Sequence, residues 1–208
     1  MNPSKTMKTT MFHPRLLTPA GRPLLAVLLT LGLGMVAHAQ DLYVGSNTPN
    51  NTTNFFLGTN SYENTYVGND DGSTNNLLTI GNTGTLLTNL GELYVGKYGS
   101  SNSMVISSGA SVVNSDGYIG ANSSNNSVLV TGTGSAWTNS YDLYIHASGN
   151  SLVISSGASV VNQYGYIGVS SSNNSVLVTG TNSTWTNSGD LLLGLNGSSN
   201  SLDSVVTR

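Results

Sequence analysis

An all-β solenoid is the fold class this sequence predicts, specifically a single-stranded parallel, right-handed β-helix of about seven coils. Three observations predict it. A short phrase, Asn-Ser followed by three aliphatic residues, returns at Asn102, Asn126, Asn150 and Asn174, 24 residues apart each time. Weaker copies lie at Asn54, Asn76 and Asn200. Each period then carries three strand-like pieces separated by Gly, Asn and Ser, with no helical periodicity after the N-terminus. Fixed periods of this size, built from short β-branched runs and turn residues, are the signature of stacked-coil architectures.

The chain opens with an export segment. Residues 1–22 hold Lys5, Lys8, Arg15 and Arg22 and no acid, an apolar run follows from Leu24 to Val36, and Ala37-His38-Ala39 closes it. A basic region, a short apolar core and a small-x-small cleavage pattern define a secretory signal peptide. The apolar run has 13 residues, too few to cross a bilayer. The expected division is a signal peptide over 1–39, cleaved after Ala39, and a β-helix repeat domain over 40–208. No transmembrane segment is expected after cleavage, and the product is placed at the cell surface or outside the cell.

The repeat then fixes its own columns. The first strand reads Leu-Tyr-Val-Gly or a relative and holds Tyr43, Tyr66, Tyr94, Tyr118, Tyr144 and Tyr166. The second is the aliphatic triplet. Its middle residue is Val105, Leu129, Val153 or Leu177, but Thr79 in an earlier copy, so this column is expected to face out, with Met104, Ile106 and their equivalents facing in. The third strand holds Val112, Trp137, Val160 and Trp185 in turn. Coils that open with Leu93 or Leu143 carry Val there, and coils that open with Gly117 or Gly165 carry Trp. Large beside small, alternating, is volume compensation within one close-packed core. It predicts buried Trp137 and Trp185 and an outward Tyr column.

Stacked coils lie about 4.8 Å apart, close enough for Asn above Asn to exchange amide hydrogen bonds. Two asparagine ladders are expected, one through Asn54, Asn76, Asn102, Asn126, Asn150, Asn174 and Asn200, the other through Asn114, Asn139, Asn162 and Asn187. The competing reading is that Asn is only a turn former. The N-terminal coil shows Phe55-Phe56-Leu57 in place of the usual triplet.

Composition excludes several functions. The chain has no Cys, so it has neither disulfides nor thiolate metal sites. After residue 39, nine acids face two bases, Lys97 and Arg208, a net charge of −7. Such a surface cannot neutralise phosphates, which excludes nucleic acid as a partner. No cofactor is expected. A lyase would need a cationic group and a base, and Lys97, His146 and Arg208 lie in unrelated places. A hydrolase needs two carboxyl groups about 5 to 9.5 Å apart. The adjacent pair Asp70-Asp71 sits in a turn-like Asn-Asp-Asp-Gly run. Asn69, Asp70 and Asp71 alone offer too few oxygens for Ca²⁺. Glu92, Asp142 and Asp190 precede Leu strands in one frame, with Asp116 one residue out of it. They suit either cations between coils or hydrogen bonds to turn amides, the second being preferred. His146 replaces a strand-end Gly and has no partner group for catalysis. An ice- or crystal-binding face would need outward Thr-x-Thr rows in every coil, and Thr131-Gly132-Thr133 does not recur cleanly.

The phrases Asn150-Ser151-Leu152-Val153-Ile154-Ser155-Ser156-Gly157-Ala158-Ser159-Val160-Val161-Asn162 and Val178-Thr179-Gly180-Thr181-Asn182-Ser183-Thr184-Trp185-Thr186-Asn187-Ser188-Gly189-Asp190-Leu191 resemble the bacterial type V secretion and PEP-CTERM-associated repeat. That repeat is similar to the β-helical passenger regions of autotransporters. The resemblance is good over about 91–200 and looser over 41–90. It implies an exported, adhesin-like surface β-helix, and it carries no catalytic residues. The sequence stops part-way through a coil at Leu202–Arg208, so the domain is expected to be incomplete at its C-terminus and to associate end to end. The expected function is structural, without catalysis, and the alternative is a polysaccharide-binding or polysaccharide-degrading β-helix. If a ligand such as an extracellular polysaccharide or a host surface is recognised, the six tyrosines are the candidate stripe, since aromatic rings with a polar tip are common at binding surfaces.

Overall fold

The computed structural model describes residues 39–205. The export segment expected over 1–39 lies outside them, Ala39 apart. The described chain is all β, with three parallel sheets of seven, seven and six strands. Coil 1 runs through Leu42–Val44, Thr52–Phe55 and Thr59–Tyr62, and coil 2 through Thr65–Val67, Leu77–Ile80 and Leu86–Asn89. Coil 3 holds Leu93–Val95, Ser103–Ser107 and Ser111–Asn114; coil 4 holds Gly117–Ile119, Ser127–Thr131 and Ala136–Asn139. Coil 5 holds Leu143–Ile145, Ser151–Ser155 and Ser159–Asn162; coil 6 holds Gly165–Ile167, Ser175–Thr179 and Thr184–Asn187. Leu191–Leu193 and Ser201–Val205 form coil 7. Each strand pairs in parallel with its counterpart one coil away, which makes the molecule a β-solenoid.

Alternation along each strand builds the core. In Ser103–Ser107 and its counterparts the second and fourth residues point inward, so Met104, Ile106, Val128, Val130, Leu152 and Ile154 are fully buried. Val105, Leu129, Val153 and Leu177 face out, as the Thr79 substitution predicts. The volume compensation is also present. A Cβ on Gly117 would lie 2.7 Å from Trp137 Cζ2, and one on Gly165 would lie 3.1 Å from Trp185 Cζ2. Trp137 is 0% exposed. Trp185 is only half-buried, which corrects the expectation for that residue. Val160 of coil 5 pairs across Trp137, whereas among the described residues no strand stacks beyond Thr184–Asn187.

The principal ladder runs the length of the molecule but starts at Asn51, not Asn54. Thr52 pairs with Leu77, so Asn51 is level with Asn76 and the coil 1 triplet is Thr53-Asn54-Phe55 rather than Phe55-Phe56-Leu57. In every coil from 1 to 6 the backbone N–H of the ladder Asn donates to Oδ1 of the next, at 2.8–3.0 Å. The side-chain amides of Asn51, Asn76, Asn102, Asn126 and Asn174 donate to the same oxygens. Asn150 differs: its Nδ2 donates to His146 O and Ser123 O. That coil has His146 where the others have a left-handed Gly, and the positive φ falls on Ala147 instead. The Gly column makes room for the ladder, since a Cβ on Gly68 would lie 2.1 Å from Asn102 Nδ2.

The second ladder is broken into pairs. Asn114 Nδ2 donates to Asn139 Oδ1 at 2.7 Å, and Asn162 Nδ2 donates to Asn187 Oδ1. The indole N–H of Trp137 takes Asn114 Oδ1, and that of Trp185 takes Asn162 Oδ1, both at 2.7 Å. Asn139 Nδ2 has no protein acceptor. Because Trp occurs in every second coil, the structural unit of this column is two coils, and the hydrogen bonds pair accordingly.

Candidate functional site: the tyrosine face

The first strands put two inward residues on either side of one outward residue, and in six coils that residue is Tyr. The pairing Tyr43↔Tyr66↔Tyr94↔Tyr118↔Tyr144↔Tyr166 is in strict register, ending against Leu192. The rings form one continuous stack, with centroids 5.0, 5.3, 4.7, 5.0 and 4.7 Å apart and planes within 12° of parallel. All six candidate residues are thus brought together on one face. Each inner ring has both of its faces covered by neighbours. What the stack offers a partner is ring edges and hydroxyls rather than open aromatic planes. Tyr66, though outward, is only 8% exposed.

Acids border the stack. The residue before each first strand is two before its Tyr, so both point out together. Tyr43 donates to Asp41 at 3.1 Å, Tyr94 to Glu92 at 2.6 Å and Tyr144 to Asp142 at 2.8 Å. Asp116 belongs to this column. It precedes Gly117, which pairs with both Leu93 and Leu143, so the expected offset of one residue is corrected. Asp116 Oδ1 accepts the Asp142 N–H at 3.0 Å, and Asp41 Oδ1 accepts the Asn64 N–H at 3.1 Å. Of the four acids for which turn-amide bonds are preferred from the sequence, Asp116 makes one, whereas Glu92 and Asp142 accept tyrosine hydroxyls. Burial and the nearby charges of Asp116, Glu92 and Asp142 push the Tyr118 hydroxyl up to about 12. Burial, then the bond to Glu92, raises Tyr94 further, and Tyr144 is raised likewise by burial and Asp142.

Lys97 completes the face, and sequence reasoning missed it. Its Nζ lies 4.7 Å from the Tyr66 centroid and 5.0 Å from that of Tyr94, beside the gap between two stacked rings. The signal was available: Lys97 follows the Gly that ends a Tyr strand, and no other Lys or Arg occurs in 40–205. His146 sets its ring edge-on against Tyr144, centroids 5.0 Å apart, and burial lowers its pKa.

The other candidates fall elsewhere. Asp70 lies in a turn and spends Oδ2 on Ser46 Oγ at 2.9 Å and the Asn47 N–H at 3.2 Å, tying that turn to coil 1. Among the described residues no group of three His, Cys, Asp or Glu is placed to hold a metal ion. No described helix is long and apolar enough to cross a membrane. The fold and this face define a β-solenoid with an aromatic, acid-bordered edge. Compared with family models, with curated proteins and with solved structures, the chain finds no match.

Proposed function

We propose that the chain is an exported, structural, adhesin-like β-helical surface or passenger protein of the type V secretion and PEP-CTERM-associated kind, working without catalysis. The observation that supports it best is where the repeated side chains go. The Asn, Tyr, Gly and apolar columns make their hydrogen bonds and contacts to the next coil, so the recurring residues serve stacking. A stack of this kind makes a stiff spacer whose length scales with coil number. The signal-like segment over 1–39 and the acidic, Cys-free composition suit a surface location. End-to-end self-association is part of the same reading: Leu191, Leu193 and Val205 are exposed in coil 7, beside a hollow of about 380 Å³ lined by Val178, Trp185, Leu191 and Leu202.

Export is the part to test first. The full chain should be expressed in a bacterial host and recovered outside the cytoplasm, with a new N-terminus at Gln40. It should be digested by protease added to intact cells if it stays at the surface. Retention in the cytosol with the N-terminal segment intact would overturn the reading.

A further inference from the structure

We propose that two copies of this chain pair side by side through the outer face of the second-strand sheet, as a closed dimer with the solenoids antiparallel. The outward column of that sheet reads Thr79, Val105, Leu129, Val153, Leu177 and Asp203 from coil 2 to coil 7. Two residues on, a second outward column reads Ser107, Thr131, Ser155 and Thr179. Large and small residues alternate in both columns, and in phase. Coils 4 and 6 carry Leu with Thr, while coils 3 and 5 carry Val with Ser. All eight of these side chains are half-buried, so they still offer surface to a partner. The face is therefore corrugated, with a period of two coils.

A two-fold axis along the strands, between coils 4 and 5, matches this corrugation to itself. It sets Leu129 over Val153 of the second copy and Leu177 over Val105, so each ridge meets a groove. It sets Thr131 over Ser155 and Thr179 over Ser107 in the same way. At the rim Thr79 meets Asp203 of the second copy, a hydroxyl donor against a carboxylate. Asp203 is the one acid in the strands of this sheet, so copies of a chain with a net charge of −7 after residue 39 meet here with little repulsion. The third-strand face also lacks charge, but its outward column reads Val113, Thr138, Val161 and Thr186. Those residues are alike in volume and every second one is a hydroxyl, so that face has no ridges to seat and more polar groups to desolvate. Coils 2 to 7 present roughly 29 Å by 16 Å of sheet, and a pair would bury about 900 Å² in all. That is the size of a weak, reversible interface. The proposal does not rest on the surface role or the end-to-end association proposed above.

The test is sedimentation equilibrium of the purified full chain between about 10 µM and 1 mM, where an interface of this size dimerises. A monomer–dimer equilibrium is expected. Leu129→Asp leaves an unpaired carboxylate at the centre of the interface in each copy and should raise the dissociation constant more than about tenfold. Leu129→Thr repeats what the same column already holds at Thr79, so it keeps the fold, and it should raise the constant about threefold or more. Val161→Asp puts the same charge on the third-strand face and should change it by less than about twofold. Orientation is read by mixing. Leu129→Asp with Val153→Lys should associate where neither does alone, because these positions face each other, and Leu129→Asp with Val105→Lys should not. A chain that stays monomeric to about 1 mM, equal effects of Leu129→Asp and Val161→Asp, or equal rescue by the two lysine variants would overturn the proposal. Association that Leu193→Asp abolishes and Leu129→Asp leaves intact would also overturn it, while leaving the end-to-end reading in place.

Discussion

Asn126 illustrates why one residue type recurs once per coil. Its Oδ1 accepts the buried Asn102 N–H at 2.9 Å, and its Nδ2 reaches Asn150 Oδ1 at 3.0 Å. The turn-former reading is answered by the neighbouring position: the left-handed residue is Asn125, at φ 61, and in coil 3 it is Ser101, at φ 60. The turn needs the first residue of each pair, and the ladder needs the second. Asn126→Ala leaves the Asn102 N–H without a partner and should cost about 1 to 3 kcal/mol for that group alone. Asn200→Ala, on a half-exposed rung, should cost less, and comparison of the two denaturation midpoints checks it. The tyrosines give a pH prediction. Burial first, then the neighbouring carboxylates, raises their folded pKa values above the ordinary tyrosine value of 10.0, so the stack is stabilising while they are protonated. That stabilisation is fully present below about pH 10 and is lost as pH rises through 10 toward 12, where unfolded tyrosines ionise first. Denaturation midpoints measured across this window should fall steeply, and Tyr118→Phe should make the fall shallower. A midpoint flat to pH 12 would mean that the rings titrate freely.

At the scale of the strand, the legible part of the fold was whatever side-chain volume encodes. Leu93 with Val112 and Gly117 with Trp137 reveal which columns share the interior before any coordinate is known, and the Thr79 substitution marks an outward column. What stayed illegible depends on register and competition. Coil 1 has Thr53-Asn54-Phe55 where other coils have aliphatic triplets, so the apolar Phe55-Phe56-Leu57 competes for the triplet position and Asn54 mimics the ladder residue that the register assigns to Asn51. The second ladder looked continuous because no pattern of Asn reveals that an indole N–H will claim every other amide oxygen. The tyrosine column was readable as a set, but its hydroxyl partners required the acid column to be in register, Asp116 included. The coupling within a coil can be measured. Gly117→Leu should overpack coil 4 and cost on the order of 1 to 3 kcal/mol. Adding Trp137→Val converts coil 4 to the Leu/Val type of coils 3 and 5 and should recover part of that loss, a coupling that a double-mutant cycle reads directly. Strictly additive losses would remove the volume-compensation argument.

The whole molecule behaves as a one-dimensional stack, in which each coil is stabilised by the two it touches and the terminal coils have only one neighbour among the described residues. Burial follows this. Inward positions are fully buried through coils 3 to 5, whereas they open in part of coil 6 and throughout coil 7: Ile167 and Val176 are still buried, but Trp185 is half-buried, and Leu191 and Leu193 are 38% and 48% exposed. Local opening should therefore proceed from the ends. Amide hydrogen exchange should be slowest around Ile106, Val130 and Ile154, which are fully buried with paired strands on both sides. It should quicken through Thr184–Asn187 and be fastest in Leu191–Leu193 and Ser201–Val205. Asn126→Ala, placed mid-stack, should then do something a terminal substitution cannot. It weakens the junction between coils 3 and 4, so exchange should accelerate on both sides of that junction. Asn200→Ala should speed exchange in coil 7 and leave Ile106 unchanged. If instead every amide exchanged at one rate in the unaltered protein, and both substitutions shifted that rate together, unfolding would be a single global event and nearest-neighbour stacking would not describe this solenoid.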